Sequence, residues 1–232
     1  MVNKKHNMKR LLTFILALAF SPCSGESESS SNHSQKQDDL KLQKFIAAYS
    51  PPDKPVKPSP ETIAKYKNKL PECIIELWTE HGFGHYGDGL IQIIDPDIYD
   101  NNLWGWLMVE KDTNRIPIAL SAFGHIYYYR KLSDRGDEDI AFINPHTSQT
   151  GVLTWDIEEF FNEWCCDADN QSDYLEKELA AKASKKCGKR NEGEIYYYAP
   201  AIRLGGEPKL ENIKKGNALV HLAILLDLAL DR

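Results

Sequence analysis

Apolar positions along the chain recur first at helical spacing, then in short dense runs, then at helical spacing again. "LKLQKFIAAY" places Leu40, Phe45, Ile46 and Tyr49 at near-helical intervals, and the prolines of "SPPDKPVKPSP" end that helix. "SPETIAKYKNKL" predicts a second helix, with Ser59 as N-cap and Pro60 at the first helical position. A third runs from Pro71 through "ECIIELWTEHG", with Ile74, Ile75, Leu77 and Trp78 on one face. Five strand-like runs follow: "LIQIID", "LWGWLMV", "IPIALSAFG", "HIYYYRKL" and "DIAFINP", separated by Asp, Asn, Gly and Pro turns. "SDRGDED" (133–139) reads as a hairpin connection. Alternation puts Tyr127 and Tyr129 on one strand face with Tyr128 opposite, and Trp104 beside Trp106 on another.

Helical spacing returns in "WDIEEFFNEWCC" and in "SDYLEKELAAKASKKCGK", which Ser172 caps and Gly188 ends. "EIYYYAPAIRLGG" reads as a strand running into a turn. "ENIKKGNALVHLAILLDLALD" predicts a terminal helix that is apolar on nearly all sides from Ala218 to Leu230. Such a helix must be covered, by its own domain or by a partner, a second copy of the chain included. The order of elements predicts an α+β fold: N-terminal helices, an antiparallel meander, and C-terminal helices packed on it.

The first forty residues stand apart from this pattern. Lys4, Lys5, Lys9 and Arg10 precede the apolar run Leu11 to Phe20, and "SPCSG" follows, which is the layout of a secretory signal over residues 1–23. Met8 opens a complete signal of its own. A polar, Ser-rich tract (24–39) then reads as a disordered tether. Cys23 stands where a lipoprotein carries its acylated cysteine, but Pro22 before it departs from that pattern. Lipidation of Cys23 and simple cleavage with release therefore stay side by side. The chain is expected to be exported, periplasmic or anchored facing the periplasm; without the signal it would be cytoplasmic.

The formal net charge is −6, and loss of 1–23 removes four basic residues and no acid, leaving about −10. Such a surface repels nucleic acid and anionic lipid and attracts basic partners, so membrane association is expected only through a lipid anchor. Cys73, Cys165, Cys166 and Cys187 permit two bridges in an oxidising compartment. Adjacent cysteines rarely bond each other, so Cys187 is expected to reach back to one of that pair, with Cys166 the candidate.

"GFGHYG" (82–87) spells G-x-G-x-x-G, yet a helix precedes it and a strand follows. The dinucleotide fingerprint needs the reverse order, so that a helix N-terminus faces the phosphates. The segment is read as a glycine turn, Gly82 ending the helix. His81 and His85 have glycines between them and lack the glutamate of a zinc-protease helix, so no metal site is expected. No G-x-S-x-G, no P-loop and no suitably spaced carboxylate pair occurs. The residues call for no cofactor and no catalysis. The partner-binding candidates are His85, Tyr86 and Asp88 at the glycine turn, and Asp134, Asp137, Glu138 and Asp139 at an acidic hairpin tip.

Several segments together resemble a known pair of families. "LPECIIELWTEHGFGHYGDGLIQIIDP", "AFGHIYYY" and "INP" resemble the GAD-like domain, here 40–150. "EIYYYAPAIRLGG" and "IKKGNALVHLAILLDL", within 151–232, resemble the C-terminal domain of type VI secretion immunity proteins that neutralise DNase effectors. The resemblance implies a non-enzymatic protein that binds a protein toxin and occludes it, with a basic toxin suiting the acidic charge. DNase immunity would operate in the cytoplasm, whereas this chain reads as exported, so its toxin would act in the periplasm on wall or membrane. The alternative is an exported envelope lipoprotein with a structural or ligand-binding role.

Overall fold

The computed structural model describes residues 41–230. The leader, the tether, Cys23 and Leu40 lie outside the described residues. Several helix starts carry a local reason. Ser59 caps α2 (Pro60–Tyr66) by accepting the Thr62 amide at 3.1 Å, as expected. It follows a short α1 (Gln43–Ala48) that buries Phe45. Pro71 opens α3 (Glu72–His81), and Gly82 ends it with φ 79°.

The chain then lays down a six-stranded antiparallel meander in sequence order: β1 (Gly84–Tyr86), β2 (Ile91–Ile93), β3 (Arg115–Ser121), β4 (Ile126–Lys131), β5 (Glu138–Asn144) and β6 (Gln149–Thr154). Two expectations fail here. "GFGHYG" is not only a turn, because its centre is β1, paired with β2 through Gly84↔Ile93 and Tyr86↔Ile91. The tight turn is the following Gly87–Gly89. "LWGWLMV" is not a strand but the end of α4 (Pro96–Leu107). Asp95 caps α4 by accepting the Asp97 amide, Pro96 fixes its first turn, and Met108 closes it in the left-handed region. Trp104 and Trp106 therefore point about 200° apart around a helix. Trp104 donates back to Asp100 at 2.8 Å, while Trp106 enters the core.

Both faces of the sheet are covered. Tyr127 and Tyr129 join Ile140 and Phe142 under α1, α3 and the aromatic segment that follows β6. Ile126, Tyr128, Ala141 and Ile143 pack on the other face against α4 and α8 (Ala218–Leu230). The alternation expected for β4 is thus observed. Gly105 sits mid-helix in α4, where a Cβ would lie 2.7 Å from Leu226, so the glycine lets α8 approach closely.

After β6 comes one turn of α5 (Ile157–Glu159), widened into a π-helical turn over Phe160–Trp164. Ser172 does not cap the next long helix. It lies inside α6 (Ala168–Asp173), which Asp167 caps, and α7 (Lys177–Cys187) starts after Glu176 at φ 52°. Gly188 ends α7 as expected. "IKKGN" is not helical: it is β8 (Ile213–Asn217), paired with β7 (Glu194–Tyr198) in a separate two-stranded sheet. α8 buries Ala218, Leu222 and Leu225 but leaves Val220 and Ile224 about half exposed. No helix among the described residues is long and apolar enough to cross a membrane.

The expected Cys166–Cys187 bridge is not formed. All four described cysteines are free. The Cys166 thiol faces the Phe161 carbonyl at 3.4 Å, and the Cys187 thiol faces that of Ile213 at 3.2 Å.

Candidate functional site

The acidic hairpin and the start of α5 meet at one end of the sheet. Register brings them together: Lys131 pairs with Glu138 and Arg130 with Asp139, while Ile140 lies opposite Thr154. Trp155 and Asp156 thus emerge beside the hairpin. Glu138 ties the two segments, accepting the Ile157 amide at 3.4 Å and the Tyr129 hydroxyl at 2.9 Å. Burial, with Asp156 and Glu158 nearby, raises its carboxyl above the usual range. Asp156 caps α5 through the Glu159 amide at 2.8 Å.

Trp155 is 69% exposed, the most open of the large apolar side chains described, and Val152 on β6 is also exposed. An indole held in water loses the burial that makes tryptophan favourable, which marks it as a contact in waiting. Asp156, Glu158 and Glu159 follow it in the chain, and the neighbouring β4–β5 hairpin carries Asp134 and Asp137. Part of that charge is already partnered: Lys131 with Asp134 at 2.7 Å and Lys41 with Glu158 at 3.9 Å. β6 is the last strand of the sheet, and among the described residues no strand pairs with its outer side.

Not every expected residue belongs here. Asp139 turns inward, is fully buried, and receives two hydrogen bonds from Arg130 at 2.6 and 2.5 Å. It is a structural anion, because β-strand alternation sends it to the opposite face from Glu138. Tyr86 is likewise removed from any surface role. Its ring is fully buried and its hydroxyl donates to the Gly82 carbonyl at 2.8 Å. His85 and Asp88 lie at the β1 edge, the far side of the sheet from β6. His85 is half-buried with Nε2 2.9 Å from the Asn191 carbonyl, whereas Asp88 is open to solvent. Trp155 and β6 were missed in the sequence. The signal was an indole placed just before the cap Asp156, outside the apolar face of the helix it was assigned to. No group of three or more metal-ligating side chains occurs among the described residues.

Residues 41–136 match the family model of the GAD-like domain, and residues 156–229 match that of the T6SS immunity protein Tdi1, C-terminal. The chain carries a GAD-like domain joined to a Tdi1-type immunity domain. The boundary between the two matches falls at the acidic end: the GAD-like region stops in the hairpin at 136, and the Tdi1-type region starts at Asp156. β5, β6 and Trp155 occupy the interval. The crystal structure of Atu4351 from Agrobacterium tumefaciens has the same fold, with a TM-score of 0.62 and 21% identity over 80% of this chain and 88% of that one. No curated protein sequence matches the chain significantly. The resemblance to type VI secretion immunity proteins is carried by residues 156–229.

Proposed function

We propose that the chain is a non-enzymatic immunity protein that binds an effector protein and neutralises it by covering the effector's working surface. The match of residues 156–229 to the immunity family carries this reading. The acidic balance of the chain supports a basic partner, since opposite charges steer encounter and suppress wrong partners. Trp155 supplies the anchor. Tryptophan dominates interface energetics, and the unpaired side of β6 offers main-chain donors and acceptors to an incoming strand. The leader motif supports an encounter in the periplasm, with the chain either released or held there through Cys23. The same leader supports a second reading, an exported envelope lipoprotein with a structural or ligand-binding role.

Coexpression with the toxin-like product of an adjacent gene tests the first reading. Cell protection and a stable complex on size-exclusion chromatography are expected. Trp155→Ala should cost at least about 2 kcal/mol of binding, roughly thirtyfold in Kd, with an unchanged melting temperature. Neither protection nor a complex, together with an envelope defect in knockout cells that meet no effector, would favour the second reading over the first.

A further inference from the structure

A cleft at the β1 edge reverses the charge of the molecule around it. One wall is a face of α7 carrying Lys177, Ala181, Ser184 and Lys185, and the other is the Gly87–Leu90 turn. Its cavity is about 360 Å³, and a neighbouring cavity of about 270 Å³ shares Asp88, Ser184, Lys189, Arg190 and Tyr196 with it. That size suits a small ligand. Lysines 177, 185 and 189 and Arg190 face it. The opposing acids are Asp53 and Asp88, and Asp88 reaches Lys189 only at 3.9 Å with both side chains in open solvent. Lys185 makes no ion pair among the described residues.

The floor holds a charge that the protein does not neutralise. Two carbonyls, of Ala122 and Gly89, fix the Arg190 guanidinium, and it sits 4.7 Å from the centre of the Tyr196 ring. Its Nε has no partner. The nearby carboxylate, Glu194, is taken up by the Asn191 amide at 2.6 Å and by Lys215 at 3.3 Å. Burial pushes Arg190 down to about 10, a cost that Tyr196 and the Glu194 charge offset only in part. His85 adds a second open valence. Its Nε2 faces a carbonyl and so carries the proton, which leaves Nδ1 a buried acceptor with no donor. Burial and the Arg190 charge keep the ring neutral. Gly89 keeps the space between these groups clear: a Cβ there would lie 2.7 Å from the Arg190 guanidinium and 3.3 Å from His85 Nδ1.

We propose that this cleft binds a small dianion of the phosphate-monoester type, its phosphate against Lys185, Lys189 and Arg190 and a neighbouring hydroxyl donating to His85 Nδ1. Two negative charges answer the surplus of cations, and the hydroxyl answers the orphaned nitrogen. The site is independent of effector binding at β6, which lies at the other edge of the sheet.

Isothermal calorimetry of the full chain at constant ionic strength, with glycerol 3-phosphate and inorganic phosphate as probes, tests it. Glycerol 3-phosphate should bind at least threefold more tightly than phosphate. The Lys185→Ala/Lys189→Ala double variant alters exposed side chains and should stay folded, yet it should lose at least tenfold in affinity. His85→Leu should erase the preference for glycerol 3-phosphate while phosphate still binds. Absence of heat with both probes would overturn the proposal, as would binding that survives the double lysine variant. A preference unchanged in His85→Leu would overturn the hydroxyl assignment.

Discussion

Replacing Arg130 with methionine separates the acid that holds the fold from those that stay open to solvent. Asp139 has no exposed surface, Arg130 is 27% exposed, and two hydrogen bonds join them in parallel on adjacent strands. The bonded Asp139 raises the Arg130 pKa above its usual value. Removing the guanidinium strands a carboxylate in the dry interior, and breaking a buried pair from one side costs about 3–5 kcal/mol. Asp139→Asn keeps the shape and leaves a guanidinium that water still reaches, so its cost should be smaller, about 2 kcal/mol. The double variant Arg130→Met/Asp139→Leu removes both charges, and its cost should fall well below the sum of the single changes. Urea unfolding at pH 7, followed by tryptophan fluorescence, measures all three. A loss under about 1 kcal/mol for Arg130→Met would refute the structural role. So would an Asp139→Asn protein of native stability that no longer binds its partner.

Glu176, raised to about 7 chiefly by burial, stays protonated in the fold after the unfolded chain has ionised near 4.5. Stability should therefore fall between pH 4.5 and 7, by up to about 3 kcal/mol. Glu176→Gln should match the native protein at pH 4.5 and exceed its stability at pH 8, as read by urea unfolding at the two pH values. Buried His125, held down to about 3, acts in the other sense, since the unfolded chain gains a proton below 6.5 and the native one does not. That contribution is common to both proteins and cancels in their difference. Ser59→Ala removes the α2 cap and should cost about 1 kcal/mol, measured as a lower urea midpoint with an unchanged slope. In a Cys23→Ser background, Ellman's reagent should titrate half-buried Cys166 and Cys187 well before Cys73 and Cys165, which are closed off in the core.

The sequence signals that succeeded were those whose cause is local. Ser59 followed by Pro60 starts α2 whatever lies around it, and alternating tyrosines sort themselves between the two faces of β4. α4 carried the same kind of start in Asp95-Pro96 but was hidden by its apolar, aromatic end. That end is apolar on several sides because α4 is covered by both β3 and α8, so the helical period is masked. β6 was missed for the opposite reason. An edge strand with Gln149, Thr150 and Gly151 buries little and needs no apolar run. At the candidate site the acids were legible but their roles were not. Glu138 and Asp139 are neighbours in sequence, and only strand alternation decides that one ties the hairpin to α5 and the other meets Arg130.

The two margins of the meander differ in a way that limits assembly. Beside β1 runs the proline-rich segment 51–58, held by the Val56↔Phe83 bridge and by the Gly87 amide on the Ser50 carbonyl at 3.2 Å. Its prolines have no amide proton to offer, so growth on that side is stopped. A sheet that can be extended at β6 alone can accept one strand and then is finished. Two such molecules could meet margin to margin and close as a pair, but no third could add through this sheet. The molecule thus carries a built-in stop against polymerising through the strand it leaves bare.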